Sequence, residues 1–588
     1  MKKILILFLF VGFNLAAQTN TYEISFENAA HHEAVIKAHF PNVKSRDLTV
    51  RMSRSSPGRY ALHEFAKNVY GFKATNSKGE ELDFTRTDPY SWKVQNTDGE
   101  INIEYILFGN RGDGTYSQID ETHAHLNIPA TFMYAEDLKE RPIEVNFDVR
   151  EDLDWKVATQ LKKLSGTKYS APDLYYFMDS PTEISNWSER EFEVDGQTIK
   201  FILHHQGTEE ELDKYFDQVQ KIVLQEKQVY GELPDYDYGE YTFLACYLIN
   251  ASGDGMEHRN STILTSTRSL ENGGMKGNIG TVAHEFFHCW NVERIRPEGL
   301  EPFNFSETNM SDCLWFAEGF TSYYDGLIRA RAGITENEDY INGLAGTFNY
   351  VWNSPAHEYF NPIEMSNQAP FVDAATSVDP TNRENMFISY YSYGSVLGLA
   401  LDLSLREKEL NLDDFMKKMW NKYGKTEVAY DVEDIQQTLS DYAGKEFADN
   451  FFNKYIYESE MPNYQELLSS VGVKLEQKND DPYFGARLTA KDSTVYISGN
   501  TVKGSPAYEA GLDKGDEIVS VNGKIVTSEE EIQEMMTDNQ NLKITFRRYD
   551  KEQTTELKSG KNPEYTISID ENAKKEAVKK REAWLAKK

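Results

Sequence analysis

The sequence predicts a multidomain protein with an N-terminal antiparallel β-sandwich, a central α+β domain with a helical region, and a separate small C-terminal domain. Three observations support this prediction. The chain has 588 residues, more than one domain usually contains. Short alternating segments separated by turn residues fill the first third, as in antiparallel β-sandwiches. Strand-like segments followed by helical ones fill the middle, as in α+β domains.

Residues 1–17 have the features of a signal peptide. Lys2 and Lys3 precede an apolar run at residues 4–12 that is too short for a transmembrane helix. The Leu-Ala-Ala of residues 15–17 suits cleavage before Gln18, and no later stretch is long and apolar enough to span a membrane. We therefore expect an exported protein, periplasmic or secreted, with no transmembrane segment in the mature chain.

The chain is strongly acidic, with a formal net charge of −33 that becomes −35 once Lys2 and Lys3 are removed. Because such a surface repels phosphate backbones, nucleic acid is not an expected partner. Three cysteines, Cys246, Cys289 and Cys313, are too few for a disulfide framework. We interpret them as small buried residues, with one bridged pair left open.

The predicted N-terminal β-sandwich domain covers residues 18–195. His123 and His125 share one face of a strand in this domain, a spacing that also occurs in metal sites. We predict a surface or structural role for the two histidines, because no third ligand at a recognised spacing accompanies them.

The predicted central domain covers residues 196–465. Within it, Thr208 and Glu211 form a capping box that opens an amphipathic helix. Residues 466–550 are predicted to form the small C-terminal domain. The charged tail at residues 551–588 is predicted to be a solvated helix, with a helix that docks on the rest of the chain as the alternative.

The central domain contains the motif H-E-x-x-H at residues 284–288, in an apolar helical context. Positions i and i+4 lie one turn apart on the same face of a helix, so His284 and His288 can bind a single ion. Glu285 projects beside that face, where it can accept a proton from a water molecule at the metal. The motif therefore predicts a site for one zinc ion per chain.

Catalytic zinc usually has three protein ligands and one open position, so a carboxylate ligand is expected on a neighbouring helix. Glu318 is the candidate, because it lies in an apolar, aromatic helix 30 positions after His288. A carboxylate in such surroundings is costly to bury unless it is paired or bound to a metal. These groups predict peptide-bond hydrolysis by a zinc-activated water, with Glu285 as the general base.

A tyrosine hydroxyl is expected to stabilise the oxyanion of the tetrahedral intermediate. Tyr391 is the candidate for this role. Tyr390 and Tyr393 are the alternatives, and a purely structural role for all three tyrosines stays open.

Several motifs resemble those of the glycyl aminopeptidase family of gluzincin zinc metallopeptidases, metallopeptidase family sixty-one. They are H-E-F-F-H-C-W-N at residues 284–291, R-I-R-P at 294–297, W-F-A-E-G-F-T at 315–321, S-P-G-R-Y at 56–60, and a PDZ-like segment near the C-terminus. The resemblance covers nearly the whole mature chain. It implies a β-sandwich, a thermolysin-like catalytic domain with a helical subdomain, a PDZ domain, and zinc-dependent release of N-terminal Gly or Ala.

By this resemblance, His284, His288 and Glu318 bind zinc and Glu285 is the base. Tyr391 matches the tyrosine of a Y-x-K-G element in related aminopeptidases, although Tyr393 stands where that element has lysine. In the same way, Glu293 stands where we expect lysine before R-I-R-P.

Gly255, Met256 and Glu257 resemble part of a G-x-M-E-N element in related aminopeptidases, with His258 in place of the asparagine. A fixed carboxylate at Glu257 would hold the free α-ammonium group of a substrate, which an endopeptidase does not need. The alternative interpretation is a loop carboxylate that contacts Arg259 or solvent.

Three functional hypotheses follow: a zinc aminopeptidase, a zinc endopeptidase of the same chemistry, and a non-catalytic peptide-binding scaffold. The intact set of metal ligands and base favours an enzyme. The expected partners are peptide or protein substrates at the metal, and peptide C-termini or extended segments at the PDZ domain. Residues 483–486 resemble the carboxylate-binding loop of such domains.

Overall fold

The computed structural model describes residues 18–372, 379–478, 482–537 and 540–587. The predicted signal peptide at residues 1–17 lies outside the described residues. Within the described part of the chain, no helix combines the length and apolar character needed to cross a membrane.

The N-terminal region is rich in β-strands. Its elements are β1 (Asn20–Ser25), β2 (Glu33–Phe40), β3 (Asp47–Arg51), β4 (Val69–Thr75), β5 (Phe84–Asp88), β6 (Ser91–Gln95), β7 (Ile101–Phe108), β8 (Gln118–Ile119), β9 (His123–Leu126), α1 (Ile128–Thr131), β10 (Ile143–Asp148), β11 (Lys156–Thr159), β12 (Lys162–Ser165), β13 (Lys168–Ala171), α2 (Leu174–Met178) and β14 (Thr182–Ser185).

These strands form three sheets around one apolar core, with the orders β12-β13-β10-β1-β2-β7-β4, β11-β14-β9-β8 and β3-β6-β5. β2 and β7 alternate buried with less buried residues, the period-2 pattern of strands that have one face on a core. The β-rich domain is as predicted except in two respects. β1 pairs in parallel with β10, and residues 188–194, which were predicted to belong to this domain, form a strand of the central sheet.

β9 decides between the two roles predicted for its histidines, because it excludes the surface role. We expected a surface or structural role for His123 and His125, but their exposed fractions are 0% and 1%, so neither lies at the surface. All four residues of β9 are buried, because the strand lies inside a sheet between β14 and β8.

The central region joins a five-stranded sheet to a group of helices. Its elements are β15 (Ser188–Val194), β16 (Gln197–His205), α3 (Glu209–Tyr230), β17 (Glu240–Tyr247), β18 (Asp254–His258), β19 (Ser261–Ser266), α4 (Met275–Gly277), α5 (Ile279–Phe287), α6 (Leu314–Arg331), α7 (Asn337–Trp352), α8 (Pro362–Asn367), α9 (Ala369–Val372), α10 (Arg383–Met386), α11 (Tyr390–Glu407), α12 (Leu412–Met419), α13 (Val432–Ala443), α14 (Lys445–Tyr455) and α15 (Tyr464–Ser470).

The sheet order is β15-β16-β17-β19-β18, so β18 is an edge strand. α3 begins with the predicted capping box, in which Thr208 accepts from the backbone of Glu211 and Glu211 accepts from the backbone of Thr208. α5 packs against both β18 and α6. This arrangement places the edge strand beside the helix that carries the H-E-x-x-H motif.

α6 and α11 cross at unusually short range. A Cβ atom on Gly319 would lie 2.8 Å from the carbonyl oxygen of Tyr390, and a Cβ atom on Gly394 would overlap the carbonyl oxygen of Trp315. Only glycine fits at these two positions, because any side chain would separate the helices. The crossing brings the first turns of α11 and of α6 close together.

The C-terminal region contains the elements β20 (Val473–Gln477), β21 (Pro482–Tyr483), β22 (Leu488–Lys491), β23 (Thr494–Ile497), α16 (Pro506–Glu509), β24 (Glu517–Val521), β25 (Lys524–Ile525), α17 (Glu529–Met535), β26 (Asn541–Arg548), β27 (Lys551–Lys558), β28 (Gly560–Lys561), β29 (Tyr565–Ile569) and α18 (Lys575–Leu585).

The small C-terminal domain has different bounds from the predicted 466–550. β20 pairs with β29, and the side chains of Val473, Leu475 and Ile567 belong to the core of the central region. β21 pairs with β28, and β27 completes the sheet of the small domain. The domain therefore spans residues 482–561, between two paired strands that belong to the rest of the protein.

The prediction of a solvated tail helix is wrong. Trp584 on α18 is fully buried, its indole N–H donates to the hydroxyl of Tyr323 at 2.9 Å, and its carbonyl oxygen accepts from Arg331 Nε at 3.1 Å. The docking alternative is therefore what the structure shows, with α18 packed on α6. Lysine and glutamate on the other faces of α18 explain why its composition suggested a solvated helix.

Candidate metal centre and substrate cleft

α5 and the residue after it present two imidazoles on one side. α5 ends at Phe287, and His288 continues the helical backbone with φ −63° and ψ −16°. The rings of His284 and His288 are 4.7 Å apart between centroids and nearly perpendicular. The i, i+4 spacing therefore produces the predicted pair.

Glu318 on α6 lies between the two histidines. Its Oε2 atom is 3.4 Å from His284 Nε2 and 3.2 Å from His288 Nε2, and this buried oxygen has no hydrogen-bond partner in the described residues. Tetrahedral zinc with bonds of about 2.0–2.1 Å separates its ligand atoms by about 3.3–3.4 Å. The three side chains therefore fit a zinc ion, and they would hold it through Nε2, Nε2 and a carboxylate oxygen.

Each of the three side chains has an outer partner. His288 Nδ1 donates to the carbonyl oxygen of Asn291 at 2.7 Å, which leaves the lone pair on Nε2. His284 Nδ1 is 3.6 Å from a carboxylate oxygen of Asp325. The hydroxyl of Tyr60 donates to Glu318 Oε1 at 2.7 Å. These contacts orient the ligand atoms towards a common point.

The charges at the site are strongly coupled. Burial alone would raise the pKa of Glu318, but His288 and His284 outweigh it and hold this pKa well below the usual range. Burial by itself lowers the pKa of His288, yet Glu318 raises it to about 9. The carboxylate of Glu318 is therefore ionised at neutral pH and available as an anionic ligand.

We call His284, His288 and Glu318 the metal cluster. Glu285 points to the side of this cluster that faces β18. One of its carboxylate oxygens, Oε2, is buried without a hydrogen-bond partner in the described residues, and burial raises the pKa of this residue to about 7. A Cβ atom on Gly255 would overlap Glu285 Oε1, so only glycine leaves room for this carboxylate. A carboxylate with this pKa can accept and return a proton at neutral pH.

Glu257 lies on the edge strand β18 with an exposed fraction of 6%. Its ligand atom and those of Glu285 and His288 all lie within 4.8 Å of one another. The interpretation of Glu257 as a loop carboxylate paired with Arg259 is wrong, because Arg259 pairs with Asp237 at 2.8 Å and Glu427 at 3.0 Å. Glu257 therefore projects into the cleft beside the metal cluster.

Tyr391 is the tyrosine of α11 that lies beside the metal cluster. Its ring is 5.9 Å from the ring of His284 and stacks on Tyr390 at 4.8 Å. Tyr390 is fully buried and borders Tyr60, with 6.1 Å between ring centroids. Tyr393 is also fully buried and lies in the apolar core. The geometry favours Tyr391 over both alternatives for contact with a substrate.

The N-terminal domain supplies part of the site through residues 56–60. Besides the hydrogen bond from Tyr60, Gly58 adopts a left-handed backbone with φ +77°. A Cβ atom on Gly58 would overlap Met256 Sδ and lie 3.0 Å from Glu257 Oε2. The sequence motif at residues 56–60 does not by itself reveal this role, because no spacing rule links it to residues about 200 and 260 positions later.

Two further expectations can be compared with the structure. Cys246, Cys289 and Cys313 are buried as predicted, and all three are free, so no pair is bridged. His258 is buried and its Nδ1 lies 2.9 Å from Asp179 Oδ1, which holds it away from the metal cluster. Glu293 is half-buried, and the burial of its carboxylate raises its pKa to about 7.

Two histidines and a glutamate around one point, with a second glutamate beside them, define a zinc metallopeptidase site of the H-E-x-x-H type. Comparison with protein families agrees with this class. Residues 21–186 match the peptidase M61 N-terminal domain, residues 277–397 match the M61 glycyl aminopeptidase family, and residues 499–548 match a PDZ domain. The chain therefore contains an M61 N-terminal domain, an M61 glycyl aminopeptidase domain and a C-terminal PDZ domain, and it is a zinc aminopeptidase.

One solved structure shows the same fold along nearly the whole chain. The chain superposes on an aminopeptidase N family protein from Idiomarina loihiensis with a TM-score of 0.86 and 23% identity, covering 97% of this chain and 100% of that one. An M1 zinc metallopeptidase from Deinococcus radiodurans matches with a TM-score of 0.41 and 10% identity, covering 76% of this chain and 95% of that one. A comparison with curated protein sequences returns no match.

The first testable prediction concerns the metal ligands. Glu318→Ala should release the zinc ion held with His284 and His288 on dialysis and lower the melting temperature, because metal binding contributes to folding. Tyr60→Phe should keep the ligands but weaken zinc affinity by about 10–100-fold, because it removes the hydrogen bond that orients Glu318. Zinc content and a competition titration with a chelator measure both effects.

The matched control is Tyr105→Phe, which removes another buried hydroxyl of the N-terminal domain, one that donates to Thr131 O. It should leave zinc affinity unchanged. Full zinc retention in Glu318→Ala would show that another carboxylate is the third ligand.

Proposed function

We propose that this protein is an exported aminopeptidase that releases small N-terminal residues, Gly or Ala, from peptides. The observation that carries the proposal is the position of Glu257, a buried carboxylate next to Glu285 and His288. An aminopeptidase must locate a free α-ammonium group one residue from the scissile bond. A charge-assisted hydrogen bond to a fixed carboxylate does this and fails for a blocked amine.

The proposed mechanism assigns a role to each group in the cleft. His284, His288 and Glu318 would hold one zinc ion, which supplies a Lewis acid that polarises the scissile carbonyl and acidifies a water molecule. Glu285 accepts the proton of that water and later donates it to the leaving amine. The Tyr391 hydroxyl stabilises the negative charge on the carbonyl oxygen.

Gly255 and Met256 complete the proposed substrate site. Gly255 leaves space for the Glu285 carboxylate, and Met256 is fully buried against Gly58 and Gly114. Because this packing fills the volume next to Glu257, a large side chain on the first substrate residue would clash with it. The crowding supports a preference for Gly or Ala, as does the match to a family described as glycyl aminopeptidases.

We also propose that the PDZ domain binds the C-termini or extended segments of peptide substrates or partner proteins. β22 is an edge strand that pairs only with β23 in the described residues, and α17 packs beside it. An open edge next to a helix suits the addition of a peptide as a further strand. Gly485, in the predicted carboxylate-binding loop, has φ +86°. Export is proposed from the signal-peptide features of residues 1–17.

The role of Glu285 can be tested by Glu285→Gln. Because glutamine cannot accept the proton, kcat should fall by roughly 10²–10⁴-fold or more. Zinc content should stay at the wild-type level, since Glu285 is not a ligand in this mechanism. Steady-state kinetics on an alanyl anilide and metal analysis of the same preparation measure the two quantities. Near-normal turnover would exclude Glu285 as the base.

The role of Glu257 can be tested by Glu257→Ala. The loss should be about 2–4 kcal/mol in transition-state binding for free-amine substrates, which is roughly 30- to 1,000-fold in kcat/KM. Glu427→Ala is the control, because this carboxylate pairs with Arg259 away from the metal cluster. Zinc content should not change in either variant. If the wild type cleaves N-acetylated peptides as fast as free ones, the protein is an endopeptidase.

The role of the PDZ domain can be tested by replacing residues 482–561 with a short glycine-serine linker. The paired strands β20 and β29 stay in place, so the rest of the fold should be retained. Cleavage of dipeptide-sized substrates should be unchanged, while cleavage of longer peptides should fall. Equal losses on both substrates would mean that the domain supports folding rather than substrate binding.

A further inference from the structure

A second group of metal-binding side chains lies at the junction of the N-terminal and central regions. We call it the interdomain cluster, and its members are His123, Glu183, His204 and Cys246. They come from four strands, β9, β14, β16 and β17. Their exposed fractions are 0%, 1%, 9% and 1%, so the cluster is buried.

The four ligand atoms surround one point. His123 Nδ1 lies 3.3 Å from His204 Nδ1 and 3.4 Å from Cys246 Sγ, and His204 Nδ1 lies 4.0 Å from the same sulfur. Glu183 Oε1 lies 3.6 Å and 3.5 Å from the two Nδ1 atoms. All four atoms lie within 4.8 Å of one another. Tetrahedral zinc separates nitrogen ligands by about 3.3 Å, and nitrogen from sulfur by about 3.6 Å.

The surrounding hydrogen bonds direct a lone pair of His123 into the cluster. Gln118 Nε2 donates to the carbonyl oxygen of Asn250 at 3.0 Å, so Gln118 Oε1 faces His123 Nε2 at 3.2 Å. An amide oxygen only accepts, so His123 Nε2 carries the proton and Nδ1 is left deprotonated. This is the tautomer that a metal bound at Nδ1 requires.

Glu183 is held in a similar way. Its Oε2 atom accepts from His125 Nδ1 at 3.0 Å, and His125 Nε2 donates to the carbonyl oxygen of Asp113 at 3.0 Å. Its other oxygen, Oε1, is buried with no hydrogen-bond partner in the described residues. This oxygen faces two imidazole nitrogens and a sulfur and accepts no hydrogen bond. Burying such an oxygen costs folding free energy unless a cation is bound there.

We propose that His123, Glu183, His204 and Cys246 bind a second zinc ion, with a structural role, that joins the N-terminal domain to the catalytic domain. Two neutral imidazoles, one thiolate and one carboxylate carry a charge of −2. The His125 imidazolium, which donates from both ring nitrogens beside Glu183, reduces the charge of the buried group to −1, so the site attracts a divalent cation. Four protein ligands leave no open position for a substrate, as in structural zinc sites. Glu183 Oε1 lies about as far from the two imidazole nitrogens as His123 Nδ1 lies from His204 Nδ1 and from Cys246 Sγ. This even spacing differs from blue-copper sites, in which one axial ligand is distant.

Zinc binding at this cluster involves one proton. Burial raises the pKa of the Cys246 thiol well above its ordinary value, so the metal-free protein carries S–H at neutral pH. The ion replaces that hydrogen on sulfur, and one proton leaves to solvent.

The site also supports the substrate cleft from a distance. His125, which holds Glu183, donates to Asp113 O, and the next backbone N–H, that of Gly114, donates to Asp254 Oδ2 at 2.9 Å. Asp254 begins the edge strand β18 that carries Glu257, and it also pairs with Arg59. The interdomain cluster therefore fixes the loop against which the substrate strand rests.

Metal analysis of the full-length protein tests the proposal. After loading with zinc and desalting, the wild type should hold two ions per chain. Glu318→Ala should keep one ion, His204→Ala combined with Cys246→Ser should keep one, and all three substitutions together should leave none. A wild type that holds one ion and loses it completely in Glu318→Ala would overturn the proposal.

Cobalt substitution gives a second test that does not depend on the folding of a variant. The catalytic ligands include no cysteine, so a thiolate-to-cobalt charge-transfer band in the near ultraviolet would arise only at the interdomain cluster. The wild-type protein and Glu318→Ala should both show this band, and Cys246→Ser should lack it. Cys313→Ser, which removes another buried thiol, should keep it. Absence of the band in cobalt-loaded wild type would also overturn the proposal.

Discussion

The catalytic region depends on one buried carboxylate, that of Glu318, between the imidazoles of His284 and His288. An ionised group with 2% exposure would cost several kcal/mol in an apolar helix without opposite charges or a metal. α6 can therefore carry Glu318 only where α5 presents both histidines. Gly319, the next residue, lets α11 pack directly against α6 behind the site. Two adjacent residues of α6 therefore contact the two histidines on one side and α11 on the other.

The N-terminal domain is part of the active site rather than an independent neighbour. Tyr60 donates a hydrogen bond to Glu318, the proposed third metal ligand, and Gly58 packs against the strand that carries Glu257. The same domain meets the central sheet again through His123 and Glu183. Since both contacts are buried, a change in the orientation of the two domains would disturb the metal site and the substrate strand together.

The C-terminal part shows why domain bounds were harder to predict than domain identity. Turn residues and alternating strands indicated a small domain correctly, because these are local signals. The pairing of β20 with β29 joins residues about 90 positions apart, and no local sequence pattern predicts it. Trp584 was assigned to a solvated tail for a related reason. The six charged residues of α18 lie on its outer faces, whereas one aromatic side chain determines where the helix packs.

The sequence by itself determined the chemistry that local geometry controls. The spacing of His284, Glu285 and His288 places the two proposed ligands and the proposed base on one helical turn, and an aromatic helix indicates Glu318 as their partner. Only the tertiary structure decided which distant residues complete these groups. Tyr60 reaches Glu318, and Cys246 reaches His123, across separations that helix and strand periods do not encode. The physical reason is that periodicity fixes neighbours within an element, while contacts between elements follow from how the whole chain buries its apolar faces and pairs its buried charges.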